Sequence, residues 1–296
     1  MTSAAAKPKI QNRLANTHEK AQVLADALPY IREFAGKTVV IKYGGNAMED
    51  PALANFFAED IVLMHLVGLR PVVVHGGGPQ ISALMRKLGK EPKFIDGLRV
   101  TDGETVDIAR RALVDEVNQD VVSALNQFGS YAVGMSGEDS GLLRVTTRDV
   151  NLGFVGDVEE VNTDILERAL AEDLIPVVAT MGADSSGQAH NVNADDAAAA
   201  IAIAMKAEKL IYLTDVAGIY RDFSDAGSLI SQIDCAGLEE IRVDNRIGDG
   251  MIPKVESCVE ALQSGVSRAH ILDGRIPHVL LLELFTPEGV GTVIDR

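Results

Sequence analysis

A chain of 296 residues, 47% of them hydrophobic, can bury a large core as one big α/β domain or as two lobes. Its 27 lysines and arginines against 43 aspartates and glutamates give a formal charge of −16, which argues against nucleic acid or an anionic membrane surface as a general partner. No apolar run reaches membrane-spanning length, and Cys235 and Cys258 form neither a metal nor a redox spacing, which fits a reducing cytosol.

The first fifteen residues hold Lys7, Lys9 and Arg13 without an acid or the apolar block of a secretory signal. They read as a short basic tail or an organelle presequence. From Thr17 to Phe34, the residues Ala21, Leu24, Ala25, Leu28, Ile31 and Phe34 recur three or four apart, which predicts an amphipathic helix that Pro29 kinks. Standing before the first strand, this helix either covers the core or lies on another subunit. Lys37 to Tyr43 is the first core strand. Asp50-Pro51 opens a helix whose Leu53, Phe56, Phe57, Val62 and Leu66 carry a buried stripe to Gly68. Val72, Val73, Val74 and His75 show no polar alternation, so they predict a strand buried on both faces and, with the preceding units, a parallel βαβ. Gly76, Gly77 and Gly78 then lead to Pro79, suited to a first helical turn, and Ile81, Leu84, Met85 and Leu88 repeat at helical spacing.

Thr101 to Glu104 resembles a helix opening, sustained by Val106, Ala109, Leu113, Val117, Val121 and Leu125 as far as Gly129. Short β-rich runs broken by glycine (Tyr131 to Met135, Leu142 to Thr147, Gly153 to Val161) predict hairpins. A helix over Asp164 to Glu172 leads into a buried strand, Ile175 to Thr180. Ala194 to Ala207 is almost all Ala, Ile and Met, a helix packed on several sides. Lys209 to Thr214 begins a second set: a strand, a turn over Val216 to Tyr220, helices from Ala236 and Met251, and a strand over His270 to Leu272. The lobe boundary is placed at Lys206 to Lys209.

The glycine run before Pro79 is a site for an anion, because bare N–H groups there join the positive end of a helix. A strongly acidic chain does not attract an anion by bulk charge, so placed cations and amides must hold it. Lys42 ends the first strand just before Gly44-Gly45, where it needs an anion or a carboxylate unless it is an outward-facing edge lysine. A P-loop is excluded because its first glycine would fall at Ile31, and the 76–81 loop lacks the GxGxxG of a dinucleotide site. Asn191, Asn193, Asp195 and Asp196 bring polar groups to the start of the alanine-rich helix. Capping explains one of them. Asparagines also suit the donors and acceptors of a polar ligand, and an aspartate between lysines can hold them in place. Arg99 is either a bidentate carboxylate clamp or a surface ion pair. Lys254 falls in the first turn of a helix entered through the glycine turn at 247–250, an unfavourable place for a cation that an anionic ligand would explain. His75 reads as structural or as substrate-lining.

Six ordered segments resemble the acetylglutamate kinases of the amino-acid-kinase fold: VVIKYGG (39–45), VVHGGGPQI (73–81), GLRVTD (97–102), NVNAD (191–195), LTDVAGIY (213–220) and DGMIPKV (249–255). The resemblance runs from Leu28 to Arg296. It implies a three-layer α/β/α sandwich with a largely parallel central sheet, plus an N-terminal helix. Residues 1–36 would be a tail and an oligomerisation or regulatory helix, 37–207 an acyl-substrate and dimerisation lobe, and 208–296 an ATP lobe with a C-terminal effector segment. Gly77, Gly78, Arg99 and Asn191, with Asn193 nearby, would hold N-acetyl-L-glutamate. Lys42 and Lys254 would stabilise the phosphoryl group in flight, and Asp195 would orient both. Gly44, Gly45 and Gly76 would offer N–H groups to phosphate oxygens, while Leu213, Thr214, Asp215 and Gly218 would shape the pocket for ATP, which carries its own Mg2+. The acceptor carboxylate is already ionised near neutral pH and needs no general base. Phosphoryl transfer then asks mainly for alignment and charge neutralisation. The implied product is N-acetyl-L-glutamyl 5-phosphate, in cytoplasmic arginine biosynthesis, with no nucleic-acid or membrane partner.

The N-terminal helix, with His270, Asp273 to Arg275, Glu283, Phe285-Thr286 and Gly289 to Thr292, resembles the arginine-inhibited members of that family. In those, the helices interlace dimers into a hexameric ring, and Glu283 would be the guanidinium partner. The rival readings are a sister kinase acting on an aminoadipate derivative or another amino acid, and a non-catalytic arginine-sensing subunit.

Overall fold

The computed structural model describes residues 21–48, 50–222, 225–243, 251–287 and 289–296. The basic tail, Thr17 to Lys20 and the 247–250 glycine turn lie outside the described residues. Residues 21–26 are helical, the chain turns at Ala27, and α1 (Leu28–Phe34) follows with Pro29 in its first turn. Ala27 keeps α-helical angles, donates to Val23 O and accepts from Ile31 N, so the helical path continues past the interruption with Pro29 just after it. Phe34 is buried, but Val23, Leu24 and Leu28 are exposed at 65%, 75% and 55%, so most of the expected stripe covers nothing in this chain.

Next come β1 (Thr38–Tyr43), α2 (Pro51–Leu66), capped by the Asp50 carboxylate, and β2 (Arg70–His75). β1 and β2 are parallel from Thr38↔Arg70 to Tyr43↔His75, as the βαβ reading requires. α3 (Gly78–Lys87) is followed by the small hairpin β3 (Phe94–Ile95) and β4 (Leu98–Arg99). The long helix that follows is α4 (Gly103–Arg110), a π-helical segment (Arg111–Val117) and α5 (Asn118–Asn126). Apolar spacing did not reveal the π turn. It brings Leu113 and Val117 against Gly77, where a Cβ would lie 2.6 Å from Leu113 Cδ2.

β5 (Ala132–Ser136) is not a hairpin arm. It joins the main sheet parallel to β8 (Ile175–Ala179), which follows α6 (Asp164–Ala171). Of these three runs, only β6 (Leu143–Thr147) and β7 (Val155–Val161) pair antiparallel with each other, and with β9 (Met181–Ala183) and β10 (Ala189–Val192) they close a small barrel. A short glycine-bounded β run looks the same in either setting, because its long-range partner leaves no local trace. α7 (Ala194–Ala204) leads to β11 (Lys209–Thr214). The chain ends with a hairpin of β12 (Ile219–Tyr220) and β13 (Leu229–Ile230), then β14 (Gln232–Asp234), α8 (Cys235–Val243), α9 (Ile252–Gln263), β15 (Arg268–Asp273), α10 (Val279–Phe285) and β16 (Thr292–Asp295).

The eight-stranded sheet runs β14-β16-β15-β11-β1-β2-β8-β5, parallel throughout except between β15 and β16. It passes without a break across the segment joining the two sets, since Val39 to Lys42 pair with Lys209 to Tyr212. Side-chain alternation sorts its faces. Val40, Val74, Leu210 and Tyr212 pack with α7 and α9, whereas Val39, Ile41, Ile211 and Leu213 pack with α2 and α5. Both faces are covered, which is why the strands read as unbroken apolar runs. Strand order reverses at β1, and a crevice opens at the C-terminal ends of strands where such a reversal occurs. Among the described residues, no helix is long and apolar enough to cross a membrane.

Candidate active site

Lys42 follows Val40 by two residues and so points toward α7. Its Nζ lies 3.2 Å from Asp195 Oδ1, while Lys254 Nζ, from the first turn of α9, donates to Asp195 Oδ2 at 2.8 Å. Lys42 approaches within ion-pair distance but without hydrogen-bond geometry, leaving Oδ1 buried with no donor among the described residues. Asn193 caps α7: its side-chain oxygen accepts from the N–H groups of Asp195 (2.7 Å) and Asp196 (3.3 Å), fixing the turn that carries Asp195. Tyr212 shares the face of Lys42, its register partner, and its hydroxyl lies 3.1 Å from the Asp195 carbonyl oxygen and 2.9 Å from Ser257 Oγ on α9. Burial pushes the Asp195 carboxyl up, but the charges of Lys42 and Lys254 outweigh it and hold the pKa below the ordinary carboxylate value. Asp195 also gives Lys254 its reason to stand at a helix start. Two ammonium groups against one carboxylate leave a net positive charge at the strand edge of an acidic protein, suited to charge developing on a transferred phosphoryl group.

The three glycines serve different ends. The Gly76 N–H donates to Tyr43 O at 3.1 Å, and a Cβ at Gly76 would lie 3.3 Å from Ala194 Cβ. Gly76 thus seats the loop on α7, and its N–H, expected to meet a phosphate oxygen, is already engaged. Gly77 and Gly78 occupy the N-cap and first position of α3, where no carbonyl of the helix is available to them. A Cβ at Gly78 would meet nothing within 4 Å, so open space faces it. Arg99, 7% exposed, donates to Gly78 O and Ser82 Oγ at 2.8 Å each and lies 4.8 Å from the Phe94 ring centroid. Among the described residues no carboxylate pairs with it, and burial together with nearby Arg86 lowers its pKa. A buried guanidinium with no counter-ion among the described residues, beside open space at a helix start, is suited to an anion, and the surface-ion-pair reading falls away.

His75 is fully buried, with Nε2 2.9 Å from Asn118 Nδ2 and Nδ1 3.0 Å from Gly76 O. Asn118 donates to Nε2, so the network assigns the proton to Nδ1. Burial lowers its pKa to about 4, which makes it a neutral structural group that shapes the glycine loop. Asn191 lies on β10 two residues before the Asn193 cap, paired with Val155 and Met181. On β11, Thr214 Oγ1 accepts from Val216 N at 3.0 Å and forms the turn that carries Asp215. A Cβ on Gly45 (φ +74) would lie 2.8 Å from Asp215 Oδ1, so the loops after β1 and β11 touch at the sheet edge. Leu213 faces the other side and belongs to the core, and Gly218 packs on Thr292. Sequence reasoning missed Tyr212 and Ser257. Only strand register reveals that Tyr212 shares the face of Lys42.

A second cluster lies at the other end of β11, on the opposite face. Glu283 Oε1 is 2.8 Å from His270 Nδ1, and Oε2 accepts from Val290 N at 2.8 Å and Gly291 N at 3.2 Å. A Cβ on Gly289 (φ +59) would lie 2.9 Å from the same Oε2. His270 Nε2 is 3.1 Å from Lys209 Nζ, which stands 4.8 Å from the Phe34 ring centroid of α1. His270, Glu283 and Gly289 are thus brought together, with Lys209 and Phe34 added. Burial, helped by Arg268, lowers Lys209 to about 8. Burial pushes Glu283 up, but its bonds to His270 and the two amides outweigh this and hold it below its ordinary value.

Residues 37–273 match the amino acid kinase family. Proteins named acetylglutamate kinase from Symbiobacterium thermophilum and Nostoc punctiforme are 51% and 50% identical, over 94% and 93% of this chain and 98% and 93% of their own. Among solved structures, an N-acetylglutamate synthase from Neisseria gonorrhoeae, complexed with coenzyme A and N-acetyl-glutamate, is 28% identical with a TM-score of 0.82 over 93% of this chain. The chain spans 63% of that synthase. A carbamate kinase from Giardia lamblia bound to AMP-PNP, 17% identical with a TM-score of 0.69 over 88% of this chain and 99% of its own, shares the fold. By the family match and by these relatives, the chain belongs to the amino acid kinase family and, within it, to the acetylglutamate kinases.

Proposed function

We propose that this protein transfers the γ-phosphoryl group of ATP to the side-chain carboxylate of N-acetyl-L-glutamate, giving N-acetyl-L-glutamyl 5-phosphate for arginine biosynthesis in the cytoplasm. The observation that carries the reading is a single buried aspartate holding two lysines, beside a glycine-opened helix and a guanidinium without a counter-ion. Residues 37–207 bind the acyl substrate through Arg99, Gly77, Gly78 and Asn191. Residues 208–296 bind the nucleotide beside Thr214 and Asp215. Lys42 and Lys254 meet the oxygens of the phosphoryl group as it crosses, and the ionised acceptor attacks without a base. Mg2+ is read as carried by the nucleotide phosphates. Bound there, the metal supplies further neutralisation of phosphate charge.

ADP release measured with N-acetyl-L-glutamate, glutamate, aspartate and an aminoadipate derivative tests the assignment. N-acetyl-L-glutamate is the expected substrate, and preference for another acid overturns the reading. Gly78→Ala separates ligand contact from packing. Its Cβ meets no protein atom within 4 Å, so thermal stability should hold while KM for N-acetyl-L-glutamate rises about 10-fold or more. An unchanged KM would place the substrate elsewhere.

The enzyme is also read as arginine-inhibited, with the guanidinium of arginine meeting Glu283 beside His270, Lys209 and Gly289. The exposed Val23, Leu24 and Leu28 support an N-terminal helix that lies on a second copy and links dimers into a hexamer. Deleting residues 1–34 is expected to leave turnover intact, abolish arginine inhibition and yield a dimer by sedimentation. A truncated dimer that arginine still inhibits fully contradicts this.

A further inference from the structure

We propose that Arg148 is a positioning residue for phosphoryl transfer: it neutralises Asp196, so that Asp195 is the one uncompensated carboxylate the two lysines meet. This rests on the kinase reading above. Asp195 and Asp196 are consecutive in the first turn of α7 and face different ways. Asp195 meets Lys42 from β1 and Lys254 from α9, and its backbone carbonyl meets Tyr212 from β11. Asp196 instead faces the barrel. Arg148, one residue past β6, has its N–H bound to Val155 O at 2.9 Å. Its guanidinium spans two carboxylates, with Nη2 donating to Asp196 Oδ2 at 2.7 Å and Nε to Asp157 on β7.

The surroundings explain why this pairing matters. Arg148, Asp157 and Asp196 line a crevice of about 470 Å³ with Asn193, Glu256 and Glu260 of α9, and Asp96 from the β3–β4 turn. Arg148 is the one cation among the described residues that line it. Burial lifts the Asp196 carboxyl above its ordinary value even against the pull of Arg148. Without that guanidinium, no other described residue lining the crevice offsets the charge. Losing the guanidinium strengthens that upward push, so falling pH favours a neutral Asp196. At the alkaline end it is a second anion next to Asp195 and within its electrostatic reach, opposing the negative charge of the phosphoryl group.

The test is ADP release from ATP and N-acetyl-L-glutamate across about pH 6 to 9, for the wild type, Arg148→Met, Asp196→Asn and the double variant. Arg148→Met is expected to lower kcat about 10-fold or more at the alkaline end, with the deficit closing as pH falls. The double variant leaves only the half-exposed Asp157 on β7 without its partner and no stranded carboxylate beside Asp195, so it is expected to recover kcat and lose that pH dependence. A brace that merely joined barrel to helix would behave otherwise, because Asp196→Asn does not rebuild the bridge. Wild-type kcat in Arg148→Met, or a deficit that Asp196→Asn leaves in place, overturns the proposal. Should Arg148→Met not fold, the double variant decides: activity with a flat profile supports the inference, and inactivity overturns it. A wild type that releases no ADP from N-acetyl-L-glutamate refutes the kinase reading instead.

Discussion

Lys254→Ala is expected to lower kcat about 10²- to 10³-fold while leaving KM for N-acetyl-L-glutamate within about threefold. The reason is the charge count at Asp195. Two ammonium groups and one carboxylate leave a single surplus positive charge, and removing Lys254 brings the cluster to neutrality. A phosphoryl group in transit then meets no net field where its oxygens need one, whereas ground-state binding of the acyl substrate, assigned to Arg99 and the glycine loop, is untouched. The pH profile should move as well. The lysines hold the Asp195 carboxyl down, so losing one raises its pKa and shifts the acid limb of kcat to higher pH. The same depressed carboxyl contributes folding stability above the ordinary carboxylate value of 3.8, lost as pH falls through the lower folded-state value. Steady-state kinetics across pH check both points. Ordinary turnover in Lys254→Ala would falsify the charge-stabilising role.

Arg99→Met should raise KM for N-acetyl-L-glutamate about 10- to 100-fold, the cost of one or two charge-assisted hydrogen bonds to a carboxylate. The same change should leave the melting temperature equal or higher. Among the described residues the partners of buried Arg99 are all neutral, Gly78 O, Ser82 Oγ, Met85 Sδ and the Phe94 ring, so an apolar side chain of similar length relieves an unpaired charge. The combination matters: weaker substrate binding with undiminished stability marks a group kept for a ligand. A fall in melting temperature with unchanged KM would mark Arg99 as a brace between the β3–β4 hairpin and α3.

Local chemistry in the chain determined a good deal about this protein. Unbroken runs such as Val72 to Val74 require a sheet covered on both sides, and Asp50-Pro51 and Asn193 are helix starts that folded as their chemistry dictates. Gly78 before Pro79 does open a helix onto space. These features depend on a residue and its immediate neighbours, which is all that periodicity and capping report. What depended on pairing across the chain was decided only by the fold. β5 lies at a sheet edge rather than in a hairpin, and a π turn sets Leu113 against Gly77. The Gly76 N–H, locally as bare as its neighbours', is consumed by Tyr43 O once β1 and β2 align. Lys42, Asp195 and Lys254 each stood out alone, but their meeting follows from strand register and alternation. Lys42 shares a face with Val40 and Tyr212, and that face is where α7 and α9 pack. Tyr212, Ser257, Lys209 and Arg148 had no local signature, because the role of a buried polar group is set by what lies opposite it, and that partner can be any distance away along the chain.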